Sequence, residues 1–204
     1  MKKIVAFTGA GISKASGIPT FQEVDGIREK LSIEYFRSNT EDFYNVLWGM
    51  KKTVDKALPN AAHIAVADYN IPVVTMNIDG LHKRAGSKEV VEVHGNLDEV
   101  ICTKCGRQFD FSYTNDSLYC NQCNGLLKPN VVLYGEMIPR YYDAIDIISS
   151  ADELLVIGTS FYTSTSSDLV GIAERIGIKI NVINKDAEYE VPKYLKKVLE
   201  DSIL

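Results

Sequence analysis

The chain has 204 residues, 46% of them hydrophobic and 24% charged, which is the balance of a globular protein with a single core, or one core carrying a small inserted module. Its net charge is −5, and no basic run is longer than two residues (as at Lys2-Lys3, Lys51-Lys52 and Lys196-Lys197, among others), so nucleic acid is a poor main partner and a basic peptide is electrostatically welcome. No stretch approaches the roughly 18 apolar residues of a membrane span, and the N-terminal apolar run reaches Thr8-Gly9 too soon for a signal sequence. A cytoplasmic protein without a membrane partner is expected.

Residues 3–8 read as a buried strand that ends in the glycine turn Gly9-Ala10-Gly11, with a short helical start that breaks at Gly17-Ile18-Pro19. Residues 22–62 are richer in charge and aromatics. Within them Phe43, Leu47, Met50 and Val54 recur at helical spacing over 41–56, so the segment is expected to be a small helical module or loop. Pro59-Asn60 opens a helix to about Asp68. Residues 72–75 and 90–93 read as strands, and residues 131–133 resume the apolar strand pattern. Residues 140–150 are helical, 153–157 a strand ending in Gly158-Thr159-Ser160, 166–176 a helix and 179–183 a last strand. Pro192 is expected to start an amphipathic terminal helix. Strands alternating with helices imply an α/β protein with a Rossmann-like open parallel sheet.

Cys102 and Cys105, then Cys120 and Cys123, form two C-x-x-C pairs separated by 14 residues. Zn²⁺ takes four soft ligands in a tetrahedron, and each pair supplies two thiolates from one knuckle. Four thiolates leave no open position for water, so the metal is expected to be structural. A redox dithiol would account for one pair only. Residues 96–128 thus read as an inserted zinc-ribbon module.

Gly9-Ala10-Gly11 is a truncated dinucleotide fingerprint, because Lys14 stands where the third glycine belongs. Alone it fits a packing turn as well as a phosphate turn. Gly158-Thr159-Ser160 after a second strand and Asn184 after a third strengthen the phosphate reading, since turns at strand ends offer backbone N–H groups and Asn184 can bond a ribose hydroxyl. The chain has three histidines. His63 reads as structural and His82 as shaping a turn, while His94 is equally a catalytic base or a core histidine.

These residues resemble the sirtuins, the Sir2-type NAD-dependent protein deacylases. Residues 9–13 and 17–21 are similar to the family's GAGIS…GIPDFR signature, residues 77–82 with Ala85-Gly86 to QNIDGLHxxAG, and residues 93–95 to VHG. The cysteine pairs follow in the family's order, then residues 131–136 (VVxFGE), 158–160 (GTS) and Asn184, so the likeness runs from about residue 4 to 186. The resemblance implies NAD as co-substrate, a structural zinc and an acyl-lysine protein or peptide as partner. It implies a cofactor site of Gly9, Ala10, Gly11, Ile12, Ser13, Thr20, Phe21, Gln22, Met76, Asn77, Ile78, Asp79, Gly158, Thr159, Ser160, Asn184 and Lys185. His94 would be the general base, with Asn77 also catalytic, and Val132, Tyr134, Gly135 and Glu136 would hold the acyl-lysine. The Rossmann-like domain would comprise residues 1–21, 63–95 and 129–204, beside a helical module (22–62) and a zinc module (96–128).

The chain departs from the pattern at Thr20 (acidic in the family), Gln22 (Arg), Met76 (Gln) and Thr163-Ser164-Thr165 (V-x-P-A). Loss of the Arg removes a fixed charge beside NAD's phosphates or the loop over them. Tyr44 has Leu47, not Arg, three residues on, so neutral acyl groups such as acetyl are expected. The alternatives are an NAD glycohydrolase or ADP-ribosyltransferase, and a non-catalytic sensor of NAD or ADP-ribose.

Overall fold

The structure is a computed structural model that describes residues 2–20, 23–159 and 164–200. Strand β1 (Ile4–Thr8) is buried at all five positions and leads into a 3-10 turn over Ala10–Ser16. Helices α1 (Ile27–Lys30), α2 (Ile33–Ser38), α3 (Thr40–Lys56) and α4 (Ala61–Asp68) follow. Next come β2 (Val73–Thr75), α5 (Leu81–Arg84), β3 (Val90–Glu92), β4 (Gly95–Cys102), β5 (Gln108–Asp110) and β6 (Leu127–Val131). The chain continues through α6 (Tyr141–Ser149), β7 (Glu153–Ile157), α7 (Ser164–Arg175), β8 (Lys179–Ile183) and α8 (Ala187–Leu199).

Five strands form a parallel sheet in the order β3-β2-β1-β7-β8. The inner strands are apolar on both faces because both faces are covered. Val5, Phe7, Val74, Leu154 and Val156 pack toward α6 and α7. Ile4, Ala6, Val73, Leu155 and Ile157 pack toward α4 and α8. The chain leaves β1 toward β2 and β3, then returns to the other side of β1 as β7. Strand order therefore reverses between β1 and β7, where an open sheet of this kind leaves a crevice at its carboxyl ends.

A smaller antiparallel sheet, β5-β4-β6, carries the cysteines. Its apolar face and the first helices share one core: Phe36, Phe43, Tyr44 and Leu47 pack with Leu97, Val100, Phe111 and Leu127. Tyr44 donates from its hydroxyl to the Leu127 carbonyl at 2.7 Å. Tyr44 and Leu47 are both fully buried, so their spacing belongs to this core and says nothing about the acyl group.

Two expectations are corrected. Residues 131–133 are not a strand of the large sheet: β6 ends at Val131 in the small one, and Leu133 is buried in the shared core. Pro192 does not start α8 but stands inside it. The helix begins earlier because Tyr189 and Glu190 already bond the Asp186 carbonyl, and buried Ala187, Val191 and Leu195 hold its apolar stripe in place. The bond that Pro192 forgoes is a local loss. The short helices α1, α2 and α5 had no clear periodicity to betray them.

Candidate cofactor site and its buried polar network

The first turn and the turn after β7 meet backbone to backbone. Gly9 donates its N–H to the Ile157 carbonyl at 3.0 Å and Gly11 to the Gly158 carbonyl at 2.8 Å. A methyl group on Gly11 would sit 2.6 Å from the Gly158 Cα. Gly158 has φ +62°, and a methyl there would lie 2.2 Å from the Ile12 nitrogen. These glycines let the two crossover turns lie together at the point where strand order reverses. Of the first-turn residues, Ala10 opens the 3-10 segment, Ile12 is buried in the core, and Ser13 is buried with its hydroxyl turned into the site.

Asn77, Ile78 and Asp79 follow β2 and are all buried. The Asn77 amide donates to the Gly9 carbonyl at 3.2 Å and to Ser13 Oγ at 3.1 Å. A carbonyl only accepts, so this contact fixes which end of the amide is nitrogen. Ser13 passes its own proton to Asp79 Oδ2 at 2.7 Å, and Asp79 Oδ1 accepts the Leu81 N–H at 2.9 Å. Burial pushes the Asp79 carboxyl above its ordinary value, partly offset by these two donors. Both Asn77 amide hydrogens are committed, and among the described residues no hydrogen bond engages its amide oxygen.

His94 lies in the turn between β3 and β4, half-buried. Its Nδ1 is 3.1 Å from the Met76 carbonyl. The carbonyl can only accept, so Nδ1 carries the proton of the neutral ring and Nε2 presents a lone pair. Burial lowers the pKa, against which the Met76 carbonyl pulls it up. A neutral imidazole with a bare Nε2 is a base. Gly95 makes the turn possible: φ is +76°, and a methyl there would fall 2.0 Å from the Asn130 carbonyl oxygen. The Met76 side chain packs in the core beneath the sheet with Phe7, Val74 and Val91.

Residues 132–136 run past His94. Val132 donates its N–H to the His94 carbonyl at 2.9 Å, and Tyr134 bridges to the link before α2. The Arg28 guanidinium lies 5.0 Å from the Tyr134 ring centre. Gly135 has φ +93°, and Glu136 is tied to Lys128 and to the Leu133 N–H, both at 2.9 Å. Thr20 bonds Glu23 through its N–H and hydroxyl, and Lys14 pairs with the same carboxylate at 2.7 Å. These contacts hold Glu23 down at about 2. Phe21, Gln22 and Ser160 lie outside the described residues. Asn184 clasps Thr159, accepting its N–H at 3.0 Å and donating to its carbonyl at 2.7 Å, so it shapes the turn after β7. Lys185 is exposed in the bend before α8.

The four cysteine sulfurs lie within 4.8 Å of one another. Cys102 and Cys123 are 3.4 Å apart, and Cys105 and Cys120 3.8 Å. Sulfurs at tetrahedral corners about 2.3 Å from zinc stand about 3.8 Å apart, so the set fits the ion.

Two threonines and two histidines join this site from behind. Thr8 closes β1 and donates to Thr75 at the end of β2 at 2.8 Å; Thr75 Oγ1 accepts the Asn77 N–H at 3.0 Å. His82 Nε2 lies 3.0 Å from Thr8 Oγ1. The threonines escaped notice as site residues, although a hydroxyl closing an otherwise apolar strand was a readable signal.

The Sir2 family profile matches residues 9–164, and the chain belongs to the Sir2 family. It is 36% identical over 198 residues to an NAD-dependent protein deacetylase of Thermotoga maritima, covering 88% of this chain and 80% of that one. It is 35% identical over 218 residues to NAD-dependent protein deacylase 2 of Archaeoglobus fulgidus, covering 97% and 86%. Among solved structures, it is similar to a Sir2 homologue mutant in complex with ADP-ribose, with a TM-score of 0.91, 30% identity and coverage of 100% and 94%. It is also similar to a Sir2 protein with p53 peptide and NAD+, with a TM-score of 0.87, 32% identity and coverage of 99% and 94%.

Proposed function

We propose that the protein is an NAD-dependent protein-lysine deacylase that releases nicotinamide, O-acyl-ADP-ribose and free lysine. The observation that carries this reading is the Ser13–Asn77–Asp79 set, hydrogen-bonded at the crevice, with His94 anchored on the carbonyl of Met76, the residue just before Asn77. Family membership and the relatives' names support it. NAD supplies an activated glycosidic bond, whose cleavage drives removal of the acyl group.

The chain's residues divide that work. Asp79 and Asn77 hold the nicotinamide carboxamide in a buried pocket closed by Ile78. His94 takes a ribose hydroxyl proton on Nε2. Turns 9–13 and 158–160 border the phosphates, and Asn184 and Lys185 border the adenosine side. Thr20, Phe21, Gln22 and Met76 border the nicotinamide ribose, the last through its backbone. Val132, Tyr134, Gly135 and Glu136 line the acyl-lysine path. Zinc on Cys102, Cys105, Cys120 and Cys123 braces the small sheet. Among the described residues no helix is long and apolar enough to cross a membrane. A cytoplasmic setting is part of this reading.

The test is incubation with NAD and an acetyl-lysine peptide, following nicotinamide and peptide mass together. Equal yields of nicotinamide and deacetylated peptide, lost in His94→Ala, are expected. Nicotinamide released at the same rate without peptide would replace this reading with a glycohydrolase or transferase. Binding of NAD without release would leave a sensor.

A further inference from the structure

Behind the crevice the hydrogen bonds can be followed proton by proton. Asn60 opens α4, and its N–H points at His63 Nδ1 at 3.3 Å. That nitrogen must therefore be bare, and a neutral His63 carries its proton on Nε2. His63 Nε2 and His82 Nδ1 are both buried without a partner, and the two rings stand 4.9 Å apart at 61°. His82 Nε2 then meets Thr8, Thr8 meets Thr75, and Thr75 receives the Asn77 N–H.

A threonine hydroxyl has one proton to give, and Thr8 gives its own to Thr75. The contact between His82 Nε2 and Thr8 Oγ1 is therefore filled by a proton on Nε2, and Nδ1 of the neutral ring is a lone pair. Burial also holds both rings neutral, at about 4 for His63 and about 3 for His82.

We propose that His82 is a positioning residue for the deacylase reaction. As the Nε2–H tautomer it donates to Thr8, whose own proton goes to Thr75, and this chain holds in place the oxygen that accepts the Asn77 N–H, beside which the Ser13–Asp79 contacts are built. The proposal rests on the deacylase reading for its kinetic part and on hydrogen-bond accounting alone for its structural part. His82 touches no reacting atom. It acts through Thr8, 74 residues away in sequence, and latches the carboxyl ends of β1 and β2 together.

Two measurements test it on the whole chain. With only three histidines, ¹⁵N-histidine NMR reads each tautomer between about pH 5.5 and 8. His82 and His63 are expected as Nε2–H, against His94 as Nδ1–H. In Thr8→Val, which keeps the shape and loses the hydroxyl, the His82 preference weakens. That variant leaves a buried His82 N–H without its acceptor, so it is expected to melt several degrees below the parent, to lose about tenfold in kcat and to keep the peptide KM within about twofold. His82→Leu is expected to lose at least as much. His82→Gln, whose amide can donate to Thr8, recovers most of the loss. An Nδ1–H or charged His82 in the parent protein overturns the proposal, as does an unchanged kcat in Thr8→Val. If the parent shows no peptide-dependent nicotinamide release, the deacylase reading fails and the tautomers alone decide this one.

Discussion

Replacing Gly158 by alanine measures how far the site depends on two backbones lying together. Two effects add. The left-handed φ of +62° strains any side chain by about 1 kcal/mol. The new methyl would sit 2.2 Å from the Ile12 nitrogen and 2.5 Å from the Gly11 carbonyl carbon, where about 3.0 Å is the floor. The turns must part by about 0.8 Å or more, lengthening the bond from the Gly11 N–H to Gly158. Overpacking of this kind costs about 1–3 kcal/mol, and a weakened hydrogen bond about 1 more. A total of about 3–5 kcal/mol is expected in urea unfolding, with NAD affinity reduced at least tenfold by calorimetry. Gly177→Ala is the internal control: φ is +80°, nothing lies within 4 Å, and the position follows α7. It carries the strain without the clash, so about 1 kcal/mol and unaltered NAD binding are expected. Equal losses in the two variants would refute the close approach of the turns.

Other consequences follow from the same geometry. Because burial lowers the His94 pKa, its neutral, basic form persists to lower pH than for a free imidazole. The acid limb of kcat/KM should therefore fall with an apparent pKa below about 6.5; a limb above that value contradicts His94 as base. His63 and His82 stay neutral in the fold but take protons near pH 6.5 when unfolded. Stability should then decline as pH falls from about 6.5 toward 5, each histidine approaching about 1.4 kcal/mol per unit, and His63→Asn should flatten the slope in unfolding measured across that window. Cys120→Ser removes one of four thiolates. Native mass spectrometry should show the zinc lost, with a lower melting temperature, whereas retained metal would contradict four-cysteine ligation.

The parts of this protein legible in its sequence are those governed by short spacing. Two cysteines three residues apart make one knuckle in any fold, an apolar run ending in glycine reads as a strand and its turn, and Phe43, Leu47 and Val54 mark one helix face. The strand order follows only from assembly, because parallel neighbours such as β1 and β7 lie about 150 residues apart. The same holds for individual side chains. Asn184 is read from its place after a strand as able to bond a ribose hydroxyl, and only the fold shows that its amide clasps Thr159. Met76 stood in a cofactor motif, yet its side chain enters the core and its carbonyl orients His94. Thr8 and His82 sit among ordinary neighbours, and only folding brings them within 3.0 Å. Local pattern depends on backbone period and turn chemistry, which a few residues determine. A buried donor, however, must find its acceptor wherever packing brings one, and that choice belongs to the tertiary structure.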